Sequence, residues 1–115
     1  IEKILEIAVR RNISGIIATN TTITRPRNIT HPEKGGLSGK AIEKKSLDVI
    51  KFITRLTNNK LPVIGVGGIS DGNSASQKLD AGASLLQLYS GFVFEGPLLP
   101  KKILAELYQR KVWLA

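Results

Sequence analysis

Residues Leu61 to Asp71, LPVIGVGGISD, constrain the fold more than any other stretch: an apolar run breaks into Gly65, Gly67 and Gly68 and then meets the polar start of a helix. Such a run reads as a strand that delivers bare backbone to a ligand. Glycine leaves no Cβ between main-chain N–H groups and whatever approaches them, and the positive end of the following helix favours negative charge. Phosphate is the expected ligand. A second apolar run ends in Tyr89-Ser90-Gly91, and two phosphate-facing turns on consecutive strand–helix units are how the last two strands of a (β/α)8 barrel hold a phosphorylated ligand.

The rest of the chain has the same rhythm. Ile1, Ile4, Leu5 and Ala8 recur at helical spacing and predict an amphipathic helix ending near Asn12, followed by a buried strand over Gly15–Asn20 that turns polar at its tip. Thr22 to Lys45 carries Pro26, Pro32, Gly35, Gly36 and Gly39, a connection far longer than the usual two to six residues. Leu47, Ile50, Ile53 and Leu56 predict a helix over Ser46–Thr57, and Pro62–Val66 is a second strand. A helix over Gly72–Ala81 is started by Ser70 or Asp71 and closed by Gly82, a third strand covers Ala83–Tyr89, and Pro97 and Pro100 introduce a last helix through Leu104, Leu107 and Tyr108. Alternating helices and doubly apolar strands predict an α/β fold with a parallel sheet covered by helices.

A full (β/α)8 barrel takes about 250 residues, so these 115 residues supply three parallel strands with flanking helices. The chain starts on Ile1 and contains no Met. It is expected to be the C-terminal portion of a longer TIM barrel, with residues 1–115 forming part of a single domain and the N-terminal part absent.

Seventeen Lys and Arg against nine Asp and Glu give a net charge of +8, which raises nucleic acid or an anionic membrane surface as partners. The distribution argues against both. Lys44, Lys45, Lys51, Arg55 and Lys60 surround one predicted helix, Lys101, Lys102, Arg110 and Lys111 flank another, and few aromatics accompany them; dispersed charge of this kind is a solvated face, so no nucleic-acid partner is expected. With no Cys and the single His31, no metal site is expected from these residues. No run reaches the roughly 18 apolar residues of a membrane-spanning helix, so the segment itself is expected to be soluble.

Three stretches carry candidate chemistry. Thr19-Asn20-Thr21-Thr22 sets hydroxyls and a carboxamide at a strand tip, where ligands of such folds bind. Asn presents a donor and an acceptor, which suits the edge of a heterocyclic imide or a carboxylate; the same residues also suit a polar turn that caps its own backbone. Lys34 to Lys40, KGGLSGK, reads equally as a phosphate-wrapping loop with flanking cations or as a loosely held connection, and it lacks P-loop spacing. Gly65-x-Gly67-x-x-Ser70 approaches a dinucleotide fingerprint but misses its last glycine and the acidic residue about twenty positions on, where Gln87 stands.

ATNTT at Ala18–Thr22, GGLSGKAI at Gly35–Ile42, PVIGVGGIS at Pro62–Ser70 and GASLLQLYSGFVFEGP at Gly82–Pro97, in that order over nearly the whole chain, together resemble the C-terminal part of a dihydroorotate dehydrogenase. The Tyr-Ser-Gly after the last strand is similar to the quinone-dependent class 2 enzymes. The resemblance implies an FMN-binding barrel that oxidises dihydroorotate to orotate in pyrimidine biosynthesis, a base taking a proton while a hydride passes to the flavin and a quinone reoxidises it. It implies that Thr19 contacts FMN, that Asn20 and Thr21 hydrogen-bond the orotate ring or carboxylate, and that Gly39, Gly68, Tyr89 and Ser90 close around the flavin phosphate through main-chain N–H groups. A bulky residue at Gly68 is accordingly expected to weaken FMN retention more than folding.

In class 2 members the catalytic base and the quinone-channel helices lie upstream of these motifs, so no catalytic residue is assigned here. The segment alone is expected to be inactive and to need the remainder of its barrel as a partner. The resemblance also implies a full-length protein peripheral to the cytoplasmic face of the bacterial inner membrane, or to the mitochondrial inner membrane in a eukaryote. A phosphate-binding isomerase or synthase barrel and a non-catalytic basic module are the alternative readings; the first wants an ionisable residue at a strand end, and the second leaves the glycine turns without a purpose.

Overall fold

Three short strands lie side by side in chain order and run parallel in the computed structural model, which describes residues 1–25 and 34–110. Pro26, His31, Pro32 and Lys111 lie outside the described residues. Helix α1 (Glu2–Arg10) precedes β1 (Ile16–Ala18). A single 3-10 turn (Gly39–Ile42) leads into α2 (Glu43–Leu56), then come β2 (Val63–Val66), α3 (Gly72–Asp80), β3 (Leu85–Gln87), α4 (Ser90–Glu95) and α5 (Leu99–Gln109). Ile17 pairs with Ile64 and Ile64 with Leu85, while Ala18 pairs with Gly65 and Gly65 with Leu86. The expected parallel order is what right-handed strand–helix–strand crossovers produce.

Side chains alternate across a strand, so this register sorts the sheet into two faces. Ala18, Val63 and Gly65 turn toward the helices, where Leu5, Ala8, Ile50, Ile53, Ala81 and Ala83 close one core. A second core joins Ile69 and Ala75 to Leu99, Ile103 and Leu107 of α5. The opposite face is open. Ile17 is 58% exposed and Leu85 62% exposed on it, so helices cover one face of the sheet and not both. This is the geometry of a strand set cut from a barrel, whose inner face is filled by side chains of the other strands. Leu88 does not belong to that inner row: it packs with Leu86 against the second core.

Two elements differ from expectation. The long connection is shorter than it reads, because Gly39–Ile42 turns helically and α2 starts at Glu43. The expected third strand stops at Gln87, and α4 follows it immediately. The six residues SGFVFE are too short to show a period and rich in residues that favour strands; Gly96, at φ +84°, ends the helix. In α1 only Leu5 and Ala8 of the apolar stripe are buried, and Ile1 and Ile4 stay exposed. No helix among the described residues is long and apolar enough to cross a membrane.

Candidate functional site

The carboxyl ends of all three strands open into one cavity of about 500 Å3. Thr19, Asn20, Thr21, Gly39, Gly68, Tyr89 and Ser90 all line it, so seven residues spread over the sequence meet at one place. Ser38, absent from the expected set, lines it too. Its hydroxyl and that of Ser90 share a hydrogen bond of 2.8 Å across 52 positions of sequence. KGGLSGK reads as a phosphate-wrapping loop, but the pairing of its hydroxyl with Ser90 comes only from the fold.

At the tip of β1 the Ala18–Thr19 peptide is cis, and the Thr19 amide donates to the Val66 carbonyl at 3.0 Å, tying this tip to the next strand. Asn20 Oδ1 accepts the Thr21 amide at 2.8 Å, so the carboxamide holds its own turn and leaves Nδ2 as the end with no acceptor among the described residues. The long connection is pinned at its base. Thr22 and Leu37 exchange backbone hydrogen bonds of 3.1 and 2.7 Å, and Arg25 donates to the carbonyls of Thr22 and Gly35 at 3.1 and 2.6 Å. Lys45 Nζ donates to Thr22 Oγ1 at 3.0 Å, and a Cβ on Gly36 would collide with the Thr21 side chain. These contacts seat KGGLSGK over Thr21.

The three glycines of β2 and its turn have different duties. Gly65 is a packing glycine inside the strand: a Cβ there would lie 3.0 Å from Ala83 Cβ and 3.1 Å from Ile50 Cδ1. Gly67 and Gly68 have φ of +111° and +76°, backbone that residues with a Cβ rarely adopt. A Cβ on Gly68 would not enter the cavity. It would meet Glu43 of α2, 2.5 Å from its Cβ and 2.6 Å from its Cα. The expectation that a bulky residue at 68 spares folding is therefore corrected: the first cost is a backbone collision beneath the turn.

The positive end of α3 is also not available to an anion. Asp71 Oδ1 accepts the Ser74 amide at 2.7 Å, the Ser74 hydroxyl accepts the Asp71 amide at 3.2 Å, and Glu106 Oε2 accepts the Gly72 amide at 2.6 Å. The Ser74 amide and hydroxyl hold the Asp71 carboxyl below the usual carboxylate range, since donors to a carboxylate favour its charged form. The helix has satisfied itself. By contrast, the Gly68 and Ile69 amides after β2, and the Ser90 and Gly91 amides opening α4, have no acceptor among the described residues. All four residues line the cavity.

Among the described residues, no Asp, Glu, Lys, Arg or His contributes to the cavity wall. Lys34 and Lys40, read as cations flanking a phosphate loop, do not line it. What the described residues of the site offer is neutral: four open amides, the hydroxyls of Ser38 and Ser90, and the Thr19–Thr21 tip. Such a cradle can hold an anionic group and a polar planar group, and among the described residues the Tyr89 phenol is the one titratable side chain on its wall.

Residues 1–110 match the family model for dihydroorotate dehydrogenase. The chain is 48% identical to a dihydroorotate dehydrogenase (quinone) of Christiangramia forsetii over 109 residues, covering 93% of this chain and 32% of that protein. It is 46% identical to a dihydroorotate dehydrogenase (quinone) of Klebsiella pneumoniae over 112 residues, covering 92% of this chain and 33% of that protein. The ligand-free DHODH crystal structure from Eimeria tenella superposes with a TM-score of 0.87 at 32% identity, over 92% of this chain and 30% of that one. The DHODH of the same organism in complex with ferulenol gives 0.85 at 31% identity, over 96% and 31%. The chain thus spans about a third of the length of the relatives it matches. On this agreement of sequence and fold, the chain belongs to the dihydroorotate dehydrogenase family.

Proposed function

We propose that residues 1–115 are the C-terminal part of the FMN-binding (β/α)8 barrel of a quinone-dependent dihydroorotate dehydrogenase, which oxidises dihydroorotate to orotate in pyrimidine biosynthesis. The observation that carries this reading is the cavity at the strand ends, lined by the Asn20-Thr21 tip and by four residues of the β2 turn and the α4 start whose amides have no acceptor among the described residues. The open amides of Gly68, Ile69, Ser90 and Gly91 fit a phosphate, which takes several N–H donors at once. The hydroxyls of Ser38 and Ser90 add two more groups at the same end, with Gly39 and Tyr89 closing the wall beside them. Thr19, on the same cavity wall, would contact the flavin. Asn20, with Nδ2 unengaged, and Thr21 orient the substrate's carboxylate and ring oxygens. FMN, when bound, accepts a hydride from the substrate and passes electrons to the quinone; this part of the protein positions rings and phosphate. The base belongs to the remainder of the barrel. Attachment of the whole protein to a membrane, where its quinone resides, is part of the same proposal.

The absence of a carboxylate, imidazole or ammonium from the described cavity wall weighs against an isomerase of sugar phosphates, which needs such a group at a strand end. The test is direct. The purified full-length protein is scanned across the flavin absorption bands, and the bands are followed as dihydroorotate and then a quinone analogue are added. Bleaching by dihydroorotate and recovery with quinone are expected. Protein that carries no flavin, or whose flavin dihydroorotate leaves oxidised, would sink the proposal.

A further inference from the structure

Lys78 is the largest fully buried side chain among the described residues, at 1% exposure, and no role assigned above uses it. It projects from α3 behind the sheet, where its Cδ lies 3.4 Å from the Cβ position of Gly65. A lysine there is costly, because an ammonium out of water loses hydration that only a partner can replace. Burial holds its pKa below the usual lysine value, with the Glu43 carboxylate partly offsetting that shift. The polar partner recorded for Nζ is the main-chain carbonyl of Glu43, at 3.3 Å. That carbonyl belongs to the first residue of α2. It is also the residue on which Gly68 rests. Glu43 is thus held from behind by Lys78 and bears from in front on the glycine whose open amide lines the cavity. Ser46, one turn on, donates to the Val66 carbonyl at 2.6 Å and touches the Cβ position of Gly67, so the whole turn after β2 is seated on the start of α2.

Resting on the flavin reading, we propose that Lys78 is a positioning residue for the phosphate cradle: its buried ammonium fixes the start of α2 against Gly68 and so sets where the Gly68 and Ile69 amides point. The described cavity wall contains no charged side chain, so its affinity for a phosphate depends on amide placement, and small displacements of preorganised donors are expensive. A leucine or methionine at 78 would fill the same space at lower desolvation cost, and the positioning role accounts for a lysine in its place.

FMN and riboflavin separate this role from plain stability, because they differ only in the phosphate. Apoprotein of the full-length enzyme is titrated with each, as wild type and as Lys78→Met, with the fold checked by circular dichroism and thermal melting. The Met variant should bind FMN about tenfold more weakly, the loss of roughly one well-aligned charged hydrogen bond, and should bind riboflavin as the wild type does. Equal loss for both ligands, or loss for neither, would overturn the assignment. If Lys78→Met does not fold, Glu43→Gly carries the test from the other side of the contact by removing the Cβ against Gly68. The same selective loss of FMN supports the proposal, and a parallel loss or none refutes it. A wild-type protein that takes up neither flavin brings down the flavin reading and the Lys78 assignment together, whereas a flavin-binding wild type with an indifferent variant removes the Lys78 assignment alone.

Discussion

Helices α3 and α4 begin at the ends of adjacent strands, α3 beyond a glycine turn and α4 with Gly91 inside its own first turn, and only one of them keeps its positive end open. α3 spends its first amides on Asp71 and Glu106. α4 has no side-chain cap among the described residues, and its first residues, Ser90 and Gly91, line the cavity. The difference shows that a glycine turn before a helix is not enough to make an anion site. Unsatisfied N–H groups at a helix start attract a ligand only where the chain has not supplied its own acceptor. On the β2 side the amides without an acceptor among the described residues belong not to the helix but to the turn itself, to Gly68 and Ile69.

The largest expected effect breaks this arrangement at Gly68. Gly68→Val places a β-branched residue at φ +76° and drives its Cβ into Glu43. Left-handed backbone and overpacking together should cost about 2 to 5 kcal/mol. The full-length variant should lose flavin and melt well below the wild type. A variant that melts like the wild type would show that the turn after β2 can relax away from α2, and that it is no rigid counterpart to the α4 start.

Asn20→Ala comes next and acts on the other end of the cavity. Removing a donor to a charged substrate group from a desolvated site costs on the order of 1.5 to 3 kcal/mol, roughly ten- to a hundredfold in kcat/KM. Flavin content should not change. Steady-state kinetics on the flavin-loaded variant decide it, and wild-type kcat/KM would leave Asn20 as the cap of its own turn and nothing more.

How far the site was readable in the sequence follows from the same contrast. The strands and their parallel order were legible in apolar runs such as Val63–Val66, because hydrophobic patterning is local. So were Thr19, Asn20, Gly68, Tyr89 and Ser90 as a set, through motifs that retain their order. The self-capping of α3 was also present as Asp71 and Ser74, the spacing of a capping box, but its consequence for ligand binding appears only when Glu106 arrives from α5 to take the Gly72 amide. Gly65 looked like its neighbours Gly67 and Gly68 because composition cannot tell a glycine that admits Ile50 and Ala83 from one that frees an amide. Lys78 was silent, and the hydroxyl of KGGLSGK was read without its partner, for one shared reason: each contact spans 35 or 52 positions of sequence.

Asp71→Ala sharpens the comparison, because it should harm the helix without touching the ligand. Loss of an N-cap costs about 1 kcal/mol, and FMN affinity should stay at the wild-type value. The folded carboxyl sits below its unfolded value. Its ionisation therefore contributes stability that is complete above the unfolded pKa of about 4 and is lost as pH falls through the lower folded value. The stability gap between wild type and Asp71→Ala should narrow in that acid window. Weakened FMN binding at neutral pH, in a variant whose melting is otherwise preserved, would mean that the α3 start faces the ligand after all.

The smallest effect tests whether hydroxyls matter beside the amides. Ser38 and Ser90 hydrogen-bond each other at 2.8 Å, so each is held in place by the other even before a phosphate arrives. Removing one neutral hydroxyl costs about 0.5 to 1.5 kcal/mol, roughly two- to tenfold in affinity. Ser38→Ala and Ser90→Ala should each weaken FMN within that range and leave riboflavin unchanged. Because either deletion also frees its partner to rotate, the double variant should lose less than the two single losses added together, which is the signature of residues acting as a unit. Strict additivity would place the two hydroxyls in separate interactions with the ligand. No loss in either single variant would leave the phosphate held by main-chain N–H groups alone, and the open start of α4 would then account for the whole difference between the two helices.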